Sequence, residues 1–341
     1  LHLIETDDEQ REENMGTKKR YLISGFAFIV TLLFLAPGAM AREFITMGTG
    51  DPAGTWYHIG NGIAKVLNDH NPDWKMTPEA TAGGTENLRK VARGEIDLGL
   101  THVTDLMGNI KKKTVSPNDF RLLMAAHVSI AHFVVLKDGK YKQGDLDKIM
   151  QKGTRIGVGE PGSAISGITK LFLSVYGLTL EDMQPSYVSQ SEQVNAIKDG
   201  VIDVATLGSG LPVPSAMDLA TTRGIYIINI PDPIIEKLRT KVPIFVKYVI
   251  PGGIYPGVDE TVNTFGIPAY LIVKKDLSDE IVYKLTQGIL EYNMEIAKIH
   301  RAGMEYNTKN AFNYMGALMK MGCQFHPGAI KYYKEKGLWK Y

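Results

Sequence analysis

The chain carries a single cysteine, Cys323, in 341 residues. That excludes an intramolecular disulfide and a metal site built from several thiolates. Charge of one sign is also missing. Acids and bases nearly cancel to a net +1 and are mixed along the chain. No basic stripe marks a polyanionic partner, so nucleic acid is not expected as a ligand. The one local run, Lys111-Lys112-Lys113, reads as the cationic end of a helix. Long apolar runs are scarce. Only residues 21–35 stand out, shorter than the roughly 20 residues of a membrane span. The sequence has no G-x-S-x-G elbow, no H-E-x-x-H pair and no Lys-Ser/Thr nucleotide loop. Nothing therefore brings a nucleophile and a base together in those known ways.

What is present is ordinary globular composition, 44% hydrophobic and 22% charged, enough for two cores. Lys18-Lys19-Arg20 precedes the apolar run, and Ala39-Met40-Ala41 follows it. This is the order of a basic region, an apolar region and a small-x-small cleavage site. Residues 15–41 are expected to be a signal peptide cut after Ala41, which places the mature chain in the periplasm. Residues 1–14 are acidic and fit no signal pattern, so they read as upstream read-through before Met15.

Beyond residue 42 one grammar occurs twice. The strand Phe44–Gly48 enters a turn, "GTGDPAGT", and a helix with Ile59, Ile63, Val66 and Leu67 on one face. Downstream, Arg155–Gly159 enters "GVGEPGSA" and a helix with Ile165, Ile168 and Phe172. "NLRKVARGEIDLGLT" and "QVNAIKDGVIDVATL" both run helix, Gly, x-Ile-Asp, apolar strand. Two βαβαβ units imply an α/β chain of two similar lobes. Two apolar strands, 132–137 and 266–274, are expected to join them. Lobe one is then 42–132 plus 267–341, and lobe two 133–266, with a hinged cleft between. Continuous helices are expected from Ser278 through Ile299 and over 310–321.

The pieces "GTGDPAGTWYHIGNGIA", "ATAGGTENLRKVARGEIDLGL", "VGEPGSAISGIT", "AIKDGVIDVATLGSG", "PGGIYPGVDETVNTFGIPAYLIVKKDL" and "HPGAIKYYKEKG" occur in this order. Together they resemble the TAXI-type solute-binding proteins of TRAP transporters across nearly the whole mature chain. The resemblance implies a class II periplasmic-binding-protein fold, no catalysis and no cofactor. It also implies a small carboxylate ligand and delivery to an ion-gradient-driven TRAP permease. Glutamate or glutamine is the first guess and an oxo- or hydroxyacid the second. A monomer is expected. Two segments depart from the family. Thr101-His102-Val103-Thr104-Asp105 stands where members often carry Gln-Ser-Asp, and Ala126–Ala131 where they often carry Tyr-x-Glu-Pro. Both are expected to face the cleft.

Ligands in open α/β sheets lie beyond the carboxyl ends of the strands. Helix N-termini there offer free N–H groups to an anion. From the first turn this selects Thr49, Gly54, Thr55, Trp56 and Tyr57, with Trp56 a pocket wall or a core residue. The second helix start contributes Thr85 and Asn87, the latter able to donate and accept at once. Thr101, His102 and His127 follow as donors to a carboxylate, or as satisfied structural groups. The second unit contributes Gly162, Ser163, Ser189, Gln190, Gly208 and Ser209. No metal site is expected, since neither histidine has a partner at ligand spacing.

Two other readings remain. Gly157, Gly159 and Gly162 satisfy G-x-G-x-x-G, the mark of a dinucleotide enzyme. Glu181 and Asp182 lie about twenty residues on, but before the next strand rather than at its end. A receptor of an ABC importer shares the fold, and its gene neighbours would distinguish it.

Overall fold

The computed structural model describes residues 42–161 and 163–341. The segments expected to be a signal peptide, 15–41, and upstream read-through, 1–14, lie outside the described residues. One ten-stranded sheet organises the rest. Its first half is built from β1 (Glu43–Gly48), α1 (Thr55–His70), β2 (Trp74–Glu79), α2 (Gly84–Ala92), β3 (Leu98–His102) and α3 (Val103–Lys111). The long strand β4 (Phe120–Leu136) and the short α4 (Leu146–Ile149) lead out of it. The second half comprises β5 (Arg155–Gly157), α5 (Ala164–Val175), β6 (Gln184–Ser186), α6 (Gln190–Lys198) and β7 (Val204–Ser209). After it come α7 (Pro214–Thr222), β8 (Ile225–Ile227), α8 (Asp232–Lys241), β9 (Val246–Ile250) and β10 (Val262–Lys274). Four helices close the chain: α9 (Asp279–Glu291), α10 (Asn293–Ile299), α11 (Met315–Lys320) and α12 (Pro327–Glu335).

The strand order β2-β1-β3-β10-β4-β7-β5-β6 shows the repeated grammar as geometry. In each half the first strand sits between the other two and pairs with both in parallel. β10 and β4 run antiparallel between the halves. Their near-continuous apolar sequence follows from burial on both faces.

Each half is locked by one buried amide. Asn87 Nδ2 donates to the carbonyls of Thr49 (2.7 Å) and Leu100 (2.8 Å). In the second half Gln193 Oε1 accepts from Thr206 N at 2.9 Å. A Cβ at Gly48 would collide with the first amide, and one at Gly157 with the second. Glycine therefore ends both strands because a helix side chain occupies the space beside them.

Three expectations are corrected. The crossing strand expected over 132–137 begins at Phe120, so Ala126–Ala131, expected ahead of the strand and facing the cleft, lies inside it and does not line the cavity. Between Pro268 and Tyr270 the β4–β10 register slips, leaving Ala126 and His127 opposite Ala269 alone. This bulge lies where β4 passes from one half to the other. Such an extra residue re-aims a side chain and bends its strand. The expected continuous helix ends at Glu291 and restarts at Asn293. That expected over 310–321 is helical only from Met315, after Tyr314 adopts a left-handed φ of 61°.

Candidate functional site

A cavity of about 70 Å³ lies between the halves, beyond the carboxyl ends of the strands. Symmetry-related positions build it. The β1–α1 turn contributes Gly50, Asp51, Gly54 and Trp56, and the β5–α5 turn Gly159, Glu160, Ser163, Ala164 and Ile165. Ala82–Gly84 before α2 face Ser189 and Gln190 at the start of α6, and His102 at the end of β3 faces Gly208 and Ser209 at the end of β7.

The helix starts differ between the halves. In the second, Ser163 accepts from Ser166 N and Ser189 from Glu192 N, so both helices carry side-chain caps. In the first, the N-cap residues are Gly54 and Gly83, and neither helix has a side-chain cap. First-turn N–H groups have no partner within their helix. Those of α1 and α2 thus form a positive end at the cavity. Two buried side chains lie beside it, their rings 4.4 Å apart: Trp56, with an unpartnered Nε1, and His102, with neither ring nitrogen hydrogen-bonded. His102 Nδ1 lies 3.4 Å from Asp105 Oδ2, but without hydrogen-bond geometry. Asp105 is occupied by Thr85 Oγ1 (2.8 Å) and His102 N (3.1 Å).

Two acids also line the cavity, Asp51 from the first half and Glu160 from the second. Asp51 Oδ1 accepts from Ala53 N (2.7 Å) and from Ser191 Oγ across the cleft (2.6 Å). Glu160 makes no ion pair or side-chain hydrogen bond among the described residues. Burial holds its carboxyl above the usual range, and nearby Asp51, Glu192 and Glu86 push it the same way. The first half thus brings free donors to the cavity beside an Asp51 already engaged, and the second half brings an unpaired carboxyl group.

Of the residues singled out in the sequence, Gly54, Trp56, His102, Ser163, Ser189, Gln190, Gly208 and Ser209 line this cavity. The others do not. Thr49 Oγ1 donates to Glu79 O at 2.6 Å, Thr101 Oγ1 to Gly84 O at 3.2 Å, and Asn87 serves as the amide lock. Thr55 Oγ1 donates across the cleft to Gly210 O at 2.6 Å. Tyr57 is half-buried away from the cavity, its ring edge-on to His58. Thr85 holds Asp105. His127 Nδ1 lies 2.9 Å from Tyr306 Oη in the bulge, and burial lowers its pKa to about 3. Gly162 lies outside the described residues.

Asp51 and Glu160 are the charged lining residues that the sequence reading missed, because an acid before proline reads as turn chemistry. Among the described residues no group of three or more His, Cys, Asp or Glu side chains could hold a metal ion. A dinucleotide loop fits poorly. Gly157 makes room for Gln193, and Glu181 and Asp182 sit in the turn before β6.

Residues 47–337 match the NMT1-like family. The chain belongs to that family. The fold is also similar to solved structures. A protein of Bordetella bronchiseptica RB50 aligns with TM-score 0.54 and 16% identity, over 87% of this chain and 99% of that one. The periplasmic binding protein BugD aligns with TM-score 0.51 and 14% identity, over 88% and 99%. The periplasmic aliphatic sulphonate binding protein SsuA from Escherichia coli aligns with TM-score 0.45 and 14% identity, over 86% and 79%. The NMT1-like chain therefore has a periplasmic-binding-protein fold. Among its described residues no helix is long and apolar enough to cross a membrane.

Proposed function

We infer that the chain is a non-catalytic extracytoplasmic receptor. It closes on a small carboxylate and presents it to a membrane permease. The observation that carries this is the cavity's polarity. Uncapped starts of α1 and α2 converge with the unpartnered Trp56 Nε1 and the His102 ring on the side of the first half, and the second half brings the unpaired Glu160. A carboxylate suits the first side. An ammonium suits the second, so an amino acid is favoured over an oxo- or hydroxyacid. In this reading residues 42–132 with 267–341 move as one lobe, and 133–266 as the other. The family match names neither TAXI nor TRAP. An ATP-driven importer is therefore the first reading of the permease, and a TRAP permease, carried by the quoted motifs, the second. Neighbouring genes distinguish them.

The test is calorimetry of the mature protein against a panel of amino acids and their hydroxy- and oxoacid counterparts. The reading expects heat with a subset of the panel. A ligand at a hundredfold excess over its Kd should stabilise the fold by about 2.7 kcal/mol. No heat and no thermal shift with any member would sink the carboxylate assignment.

A further inference from the structure

A second cavity, about 440 Å³, opens beside the first, and Ser163 and Ala164 line both. Its walls come from both halves: α2 and α3 on one side, α5 and Tyr187 on the other. Three cations line it, namely Arg89, Lys112 and Lys170. Among the described residues none of the three forms an ion pair, though Lys170 lies near enough to Glu181 to lower that carboxyl's pKa. Arg89 Nε donates to the Asn109 amide at 3.2 Å, a neutral partner. Among the described residues the only acid on the walls is Asp105, already occupied by Thr85 and His102. Thr104 Oγ1, also on the wall, is buried and unpartnered. Space is kept open here: a Cβ at Gly108 or Gly167 would meet nothing within 4 Å.

We propose that this outer cleft is a second ligand subsite, which receives the anionic far end of a longer solute. The inference rests on the carboxylate reading of the inner cavity and goes beyond it. The inner cavity holds little more than a small head group. A chain leaving it past Ser163 enters a cleft whose charged groups, apart from Asp105, are cations with no ion pair among the described residues. The preferred solute therefore carries a second negative group beyond its first carboxylate. Exposed cations could instead steer all anions equally, and that alternative predicts a different kinetic pattern.

The probes are a series of amino acids with side chains of increasing length that end in a carboxylate, each paired with its neutral amide. The variant is Lys112→Gln/Lys170→Gln, two exposed positions whose change should leave the fold intact. Wild type should prefer the acid over the amide at one chain length. The double variant should lose about tenfold in affinity for that acid, through faster dissociation, and no more than about twofold for its amide. Equal losses for acid and amide, or a loss confined to the association rate, would overturn the subsite in favour of steering. Wild type that binds short members with no preference for a second negative group also overturns it, while the carboxylate reading stands. No binding by any member overturns both.

Discussion

Ser191 Oγ, at the start of α6, donates to Asp51 Oδ1 in the β1–α1 turn at 2.6 Å. The bond joins the two halves beside the cavity that Asp51 lines, and Thr55 Oγ1 to Gly210 O is a second bond between the halves. Both belong to the closed arrangement of the lobes in our reading, so both should slow opening. Ser191→Ala removes one hydrogen bond worth about 0.5–1.5 kcal/mol. Ligand dissociation should accelerate about two- to twelvefold, with association little changed, as read by stopped-flow fluorescence. An unchanged dissociation rate would mean that this bond does not hold the closed state.

Two buried histidines should make the fold sensitive to acid. Burial lowers the pKa of His127 to about 3 and that of His132 to about 4. Both lie below the ordinary value near 6.5, so the unfolded chain binds these protons first. Their neutral form thus contributes stability that is complete above about pH 6.5 and is lost as pH falls towards the folded values. Between pH 8 and pH 5 each should cost about 2 kcal/mol. Urea titrations should show this loss in wild type and a smaller one in His127→Gln, which can keep a hydrogen bond to Tyr306. An equal loss in the variant would assign the acid sensitivity elsewhere. His127 also stays neutral over pH 5.5–8, so it should add no pH dependence to binding in that range.

Glu160 discriminates between ligand classes. Its carboxyl is held above the usual range by burial and neighbouring acids, and a bound ammonium would relieve that. Glu160→Gln should weaken an amino acid by about tenfold, in keeping with a hydrogen bond to a charged group. The matching hydroxyacid should be unaffected or bind better. A raised carboxyl pKa costs stability at neutral pH, so the melting temperature of the ligand-free variant should hold or rise. Equal loss for both ligands would remove Glu160 from ammonium recognition.

Much of the architecture was legible because it repeats. The two Gly-x-Gly-acid-Pro turns and the two x-Ile-Asp strand starts mark equivalent places, and the structure brings both turns to one cavity. What stayed hidden depends on direction and partners. Trp56 and Tyr57 are adjacent, but a helix turns about 100° per residue, so only Trp56 faces the cavity. His102 ends a strand at the carboxyl edge of the sheet. His127, of equal appearance in the sequence, falls in a bulge of a strand that begins seven residues earlier than it. The segment Ala126–Ala131 was not recognised as strand because the pattern of a strand buried on both faces has no alternation. Asn87 has the chemistry of a ligand contact and is consumed by the backbone of its own half.

The most direct test is a crystal structure of the mature protein with the tightest member of the amino-acid and carboxylate panel. The account predicts a carboxylate oxygen about 2.7–3.2 Å from Trp56 Nε1 and from first-turn N–H groups of α1 or α2, with Glu160 facing the ammonium. A carboxylate bound against Glu160, or bound outside the cavity with these donors still unpaired, would contradict it.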